Sequence, residues 1–204
     1  MSASARKPTT EHGFSLLEVL VAVGILAVGM VSTAALLARM TSDTVRSKYM
    51  SIAAMLASEK LEDLNRWPSN DPHVAVTSGT TAGSLTSDVV QNVTVGATTT
   101  DVNYYDEVGI AASNGAMAET VSGLDGSGNV VSTTTIHTPD GYIGPADSDH
   151  PAPPFTYKRR WLIEKDPTVN GAVISGVRRV TVLVTLEDTT IRPPVTFQMS
   201  AVRP

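Results

Sequence analysis

The chain contains no cysteine among its 204 residues. That absence excludes disulfides, thiolate metal ligands and a cysteine nucleophile together. It leaves the compartment open, because an exported protein need not carry disulfides. Aromatic residues are scarce at 5%, and charged residues amount to only 17%. With 42% hydrophobic residues the composition is still that of a folding chain, not a disordered one. Positive charge is in short supply: 15 Lys+Arg stand against 20 Asp+Glu, a net charge of −5. No basic block offers a track for nucleic acid. The length suffices for one ordinary domain with an extension.

Catalytic signatures are also missing. The chain has no Gly-x-Ser-x-Gly, no Walker loop and no His-Glu-x-x-His. His12, His73, His137 and His150 are the only histidines. Ser148-Asp149-His150 places three triad residue types in a row, but neighbours in a loop cannot reach relay geometry. Asp125-Gly-Ser-Gly-Asn129 spaces oxygen ligands at alternate positions, yet lacks the downstream Glu of a calcium loop and reads as a Gly-rich turn. Lys158-Arg-Arg160 and Arg178-Arg179 fall on strand-like runs and are expected on a solvated sheet surface. We therefore expect neither enzyme activity nor a cofactor or metal.

What the chain does have is one long apolar run. Val19 to Ala38 reads VLVAVGILAVGMVSTAALLA, twenty residues without a charge. As a helix rising 1.5 Å per residue it spans a bilayer core of ~30 Å. In front of it stand a polar stretch with Arg6 and Lys7 and then Gly13-Phe14-Ser15-Leu16-Leu17-Glu18. An ordinary secretory signal is one reading, with Ser32-Thr33-Ala34 as its small-residue cleavage site. The run is longer than a usual signal core of ~7–15 residues. Glu18 also sits at its leading edge, and a carboxylate at membrane depth costs ~2.5–3.5 kcal/mol at a helix centre. Charge flanking the span does not fix orientation, because Arg39, Arg46 and Lys48 follow it.

Gly13 to Leu20 followed by the apolar run resembles the class III signal of type IV pilins and type II secretion pseudopilins. The resemblance implies cleavage between Gly13 and Phe14 by a prepilin peptidase on the cytoplasmic face, then N-methylation at Phe14. It implies that the leader lies inside and the remainder outside, in the inner membrane and then in a pilus or pseudopilus filament. It also implies that Glu18 meets the amino terminus of a neighbouring subunit during assembly. The physics agrees: a carboxylate in the first helical turns offsets both the macrodipole and a cationic amine, and an unpaired charge in hydrocarbon is strongly disfavoured. Partners implied are other pilin or minor pilin subunits, the peptidase and an inner-membrane assembly platform. Gly24-Ile-Leu-Ala-Val-Gly-Met30 and Leu56-Ala-Ser-Glu-Lys-Leu61 look most like PilV-type minor pilins. The I-type minor pseudopilins of type II secretion are similar here. A main pilin fits less well, since those chains typically carry a C-terminal disulfide loop. A signal-anchored periplasmic binding domain that never polymerises is the reading outside the family.

The pattern beyond the span supports the same layout. Val45, Tyr49, Ile52, Leu56, Leu61 and Leu64 recur at helical spacing, with one longer step of five, and Asn65 and Pro68 mark the end. A helix from Glu18 to Trp67 would run 50 residues, ~75 Å. Residues 70–129 are rich in Ser, Thr, Gly and Asn and read as loops with short strands, Val89–Val95 among them, followed by Val130–Ile136. Three runs at 155–165, 177–187 and 195–201 alternate with period two, and Arg159 is the exception on the apolar face of the first. The expected fold is α+β and pilin-like: a long N-terminal helix packed on a C-terminal antiparallel sheet. The expected division is a leader at 1–13, a transmembrane helix at 14–40, an amphipathic helix at 41–67 and a β-rich headgroup at 68–204.

Overall fold

The computed structural model describes residues 15–111, 115–188 and 191–204. Gly13 and Phe14 lie outside the described residues. A single helix, α1, runs Leu16–Arg66 over 51 residues. It starts two residues before Glu18 because Ser15 caps it: the Glu18 N–H donates to Ser15 Oγ at 3.2 Å and to the Ser15 carbonyl at 3.0 Å. It ends one residue before Trp67, just ahead of Pro68.

The chain divides into two compact units between Val45 and Arg46. In the first, every described residue is helical apart from Ser15, and all are exposed. Ser32, Thr33, Thr41 and Thr44 turn their hydroxyls back onto carbonyls four residues earlier, so this helix satisfies its own polar side chains.

The second unit is α+β. Its strands are β1 (Thr81–Gly83), β2 (Val90–Val95), β3 (Thr98–Asn103), β4 (Tyr105–Ile110), β5 (Met117–Leu124) and β6 (Val130–His137). They continue with β7 (Ile143–Gly144), β8 (Phe155–Lys165), β9 (Thr168–Val169), β10 (Ala172–Val173), β11 (Arg178–Leu186) and β12 (Thr196–Arg203). Eight of them form one antiparallel sheet in the order β12-β11-β8-β4-β5-β6-β7, with β1 added to β8. β8 is the organising strand. β11 pairs along one flank, while β4 and then β1 share the other. β2–β3 and β9–β10 are separate hairpins. Asn170 and Gly171 turn the second with φ of +50° and +81°, the signs a type I′ turn requires.

The core lies between the C-terminal part of α1 and this sheet. Ala53, Leu56, Ala57, Leu61 and Leu64 meet Tyr157, Trp161, Ile163, Val180, Val182, Val184 and Leu186 in one buried cluster. Each buried Leu or Ile contributes ~1.5–3 kcal/mol. At Gly83 (φ +80°) an added Cβ would collide with the Trp161 carbonyl and come within 2.7 Å of the Tyr104 ring, so only glycine lets β1 join there.

The C-terminal strands and the β2 and β6 runs stand where the sequence pattern predicts them. The stretch 70–129 carries more sheet than expected. β4 and β5 belong to the main sheet, and β4 sits directly beside β8.

Candidate functional site

Of the residues that the signal motif singles out, Glu18 lies in the first turn of α1, while Gly13 and Phe14 lie outside the described residues. Ser15 and Glu18 form the Ser-x-x-Glu spacing of a capping box, a second local signal in the motif. Among the described residues the Glu18 carboxylate has no hydrogen-bond or ion-pair partner within the chain. It therefore lies free for a group from elsewhere, at the end of the helix where negative charge is favoured. Around it, Leu16, Leu17, Val19, Leu20, Val21, Val23, Ile25 and Leu26 are all exposed. Among the described residues, α1 alone is long and apolar enough to cross a membrane.

Residues 9–34 match the family model of the prokaryotic N-terminal methylation motif. No curated protein matches the chain, and no solved structure does. The methylation motif spans the Gly13–Phe14 junction, Glu18 and the first half of the apolar run. Together with the exposed apolar helix and the α+β second unit, it supports a membrane-anchored, type IV pilin-like or pseudopilin subunit of the kind that a prepilin peptidase processes.

The remaining candidates are drawn into the structure of the second unit. Arg159, the exception on an apolar strand face, is only 4% exposed. It makes a bidentate pair with Asp106, at 2.6 Å from Nε and 2.8 Å from Nη2. Lys60 of α1 reaches the same carboxylate at 2.8 Å while lying 4.1 Å over the Trp161 ring. Glu119 at 3.4 Å and Glu59 at 3.9 Å complete the cluster. Burial pulls the Arg159 pKa down, but Asp106, Glu59 and Glu119 outweigh it and the guanidinium is held above its ordinary value. Sequence reasoning missed Lys60 and Asp106. The signals that could have found them are the polar residue inside the five-residue step of α1 and the cation on an apolar strand.

Lys158, Arg160 and Arg179 are paired too and Arg178 is buried, which corrects the expectation of a plainly solvated surface. Lys158 is bound by Glu107 at 2.9 Å, Asp88 at 3.1 Å and Glu187 at 3.3 Å. Arg160 joins Asp88 at 2.7 Å, and Arg179 chelates Glu164 at 2.6 and 2.8 Å. Partial burial raises the Asp88 pKa, yet its bonds to Lys158 and Arg160 bring it below the usual carboxylate value. Four acids converge on three strand cations, so these positions hold the sheet's outer face together rather than offering free charge.

Asp125 accepts the N–H groups of Ser127 and Asn129, both at 2.8 Å, and closes the β5–β6 turn. These bonds, Asn129 first, hold its carboxyl below the ordinary range. Its oxygens are spent inside the turn. Asp147, not Ser148, organises the loop at His150: it accepts the Asp149 and His150 N–H groups, while the His150 ring stacks on Tyr142 at 3.7 Å. This arrangement caps a loop and has no relay geometry.

Proposed function

We propose that the chain is a non-enzymatic minor pilin-like subunit, closest to the PilV type, that primes or decorates a type IV pilus. The observation that carries the reading is the methylation motif at 9–34 running directly into an exposed apolar helix. In this reading a prepilin peptidase cleaves between Gly13 and Phe14, and Phe14 is N-methylated. The helix waits in the inner membrane with the second unit in the periplasm. It then docks among other pilin helices, where Glu18 meets the cationic amine of a neighbour. The alternative within the family is an I-type minor pseudopilin of a type II secretion system, which shares the same N-terminal chemistry.

The test is the intact mass of the protein extracted from membranes. The expected species lacks residues 1–13 and carries one added methyl group. Substituting Gly13 by a bulky residue should leave the chain at full length. A mature protein beginning at Thr33 or Ala35 would mark an ordinary secretory signal and overturn the reading.

A further inference from the structure

Three cations lie side by side on the helix-facing surface of the sheet, just past the end of α1. Lys165 of β8 is the register partner of Arg178 on β11, and Arg178 is the register partner of Arg203 on β12. Like charges directly opposite one another across strands are destabilising. Among the described residues none of the three is in an ion pair. The contrast with Lys158, Arg159, Arg160 and Arg179, all of which have carboxylate partners, is sharp.

Arg203 has a structural task. Its Nη1 donates to the carbonyls of Asn65 and Trp67, capping the C-terminal end of α1, where cations are favoured. Arg178 has no comparable partner. It is only 6% exposed, its Nε is buried without an acceptor, and its one bond is a long 3.5 Å contact from Nη1 to the Val74 carbonyl. A buried guanidinium left in this state is costly. Burial, and then the nearby Arg203, pull its pKa below the ordinary value. Arg178 also lines a cavity of about 170 Å³ with Lys165, Ser69, Val74, Val76 and Pro204.

We propose that this cavity is an oxyanion-binding site, in which Arg178 and Lys165 hold a carboxylate or phosphate group. A guanidinium and an ammonium lining one cavity are the groups that hold oxyanions through charge-assisted hydrogen bonds. Lys165 adds a second positive charge. Ser69 is the further polar residue of the lining. The anion would neutralise the cross-strand repulsion and satisfy Arg178 in one step. The site stands on residues 69–204 alone and is independent of how the N-terminus is processed.

The test uses the full-length chain in detergent, in a phosphate-free buffer at constant ionic strength. Inorganic phosphate and acetate are titrated against chloride, and the melting temperature and heat of binding are followed. The parent should show saturable stabilisation. A response to phosphate alone identifies a phosphorylated ligand, and a response to acetate identifies a carboxylate. Arg178→Met should abolish the response while leaving the ligand-free melting temperature unchanged or higher, because a buried unpaired cation is removed. Lys165→Gln, at a half-buried position that tolerates a polar residue, should weaken binding at least about tenfold, the scale of one charge-assisted contact. No saturable response in the parent, or an equal one in Arg178→Met, would overturn the proposal. So would an Arg178→Met chain that melts lower without ligand, since the bond to Val74 would then explain the arginine.

Discussion

Arg159 is tolerated on an apolar strand face because Asp106 is its register partner on the adjacent strand. The two residues are 53 positions apart, and both are nearly inaccessible. The sequence marks Arg159 as anomalous but cannot name its partner, since that depends on how β4 aligns with β8. Replacing one member of such a pair leaves the other charge stranded, at a cost of ~3–5 kcal/mol. Arg159→Met is therefore expected to lower the unfolding free energy of the detergent-solubilised chain by about that much, measured by denaturant titration. Asp106→Asn combined with Arg159→Met should recover most of the loss, because neither charge is then left behind and Lys60, 16% exposed, can turn toward water. A single variant as stable as the parent would show that the pair contributes nothing net.

At the scale of elements, legibility follows exposure. β8 and β11 each present one covered face, and their period-two alternation survives in the sequence. β4 does not alternate: Tyr105, Asp106, Val108 and Gly109 are all buried, because it lies between β5 and β8 with both faces largely covered. A strand of that kind, interrupted by Asp106 and Gly109, has no periodic signature to find. In α1 the five-residue step from Leu56 to Leu61 proves to be no gap. Ala57 is buried within it, and Lys60 reaches Asp106 from the same face. Leu56 stands at the centre of the contact and is fully buried. Leu56→Ala should cost ~2–5 kcal/mol through lost burial and the cavity left behind. Leu56→Asp adds an unpaired buried charge and should abolish the cooperative thermal transition of the second unit. If the Asp variant keeps the parent's melting temperature, α1 does not contribute to the core as described.

For the molecule as a whole, the proposed processing junction is local in sequence and rests on eight residues. The assembly role proposed for Glu18 is not, because the group that would meet it belongs to another chain. The Ser15–Glu18 spacing offers a competing explanation for that residue, as the second half of a capping box whose Ser15 half is formed and whose carboxylate half is not. The two explanations separate cleanly by substitution. Glutamine serves in a capping box as glutamate does, but it carries no charge for a neighbour's amine. We therefore expect Glu18→Gln to behave like Glu18→Ala: cleaved and inserted normally, and missing from filaments. Insertion should even improve slightly, since a carboxylate leaves the apolar segment. Glu18→Asp keeps the charge one methylene short and should show a partial defect. The measurement is the amount of this subunit in filaments sheared from cells, relative to the membrane fraction. Filament incorporation by the Gln variant alone would assign Glu18 to capping its own helix. Normal incorporation by both Gln and Ala would leave contacts of the second unit as the route into the filament.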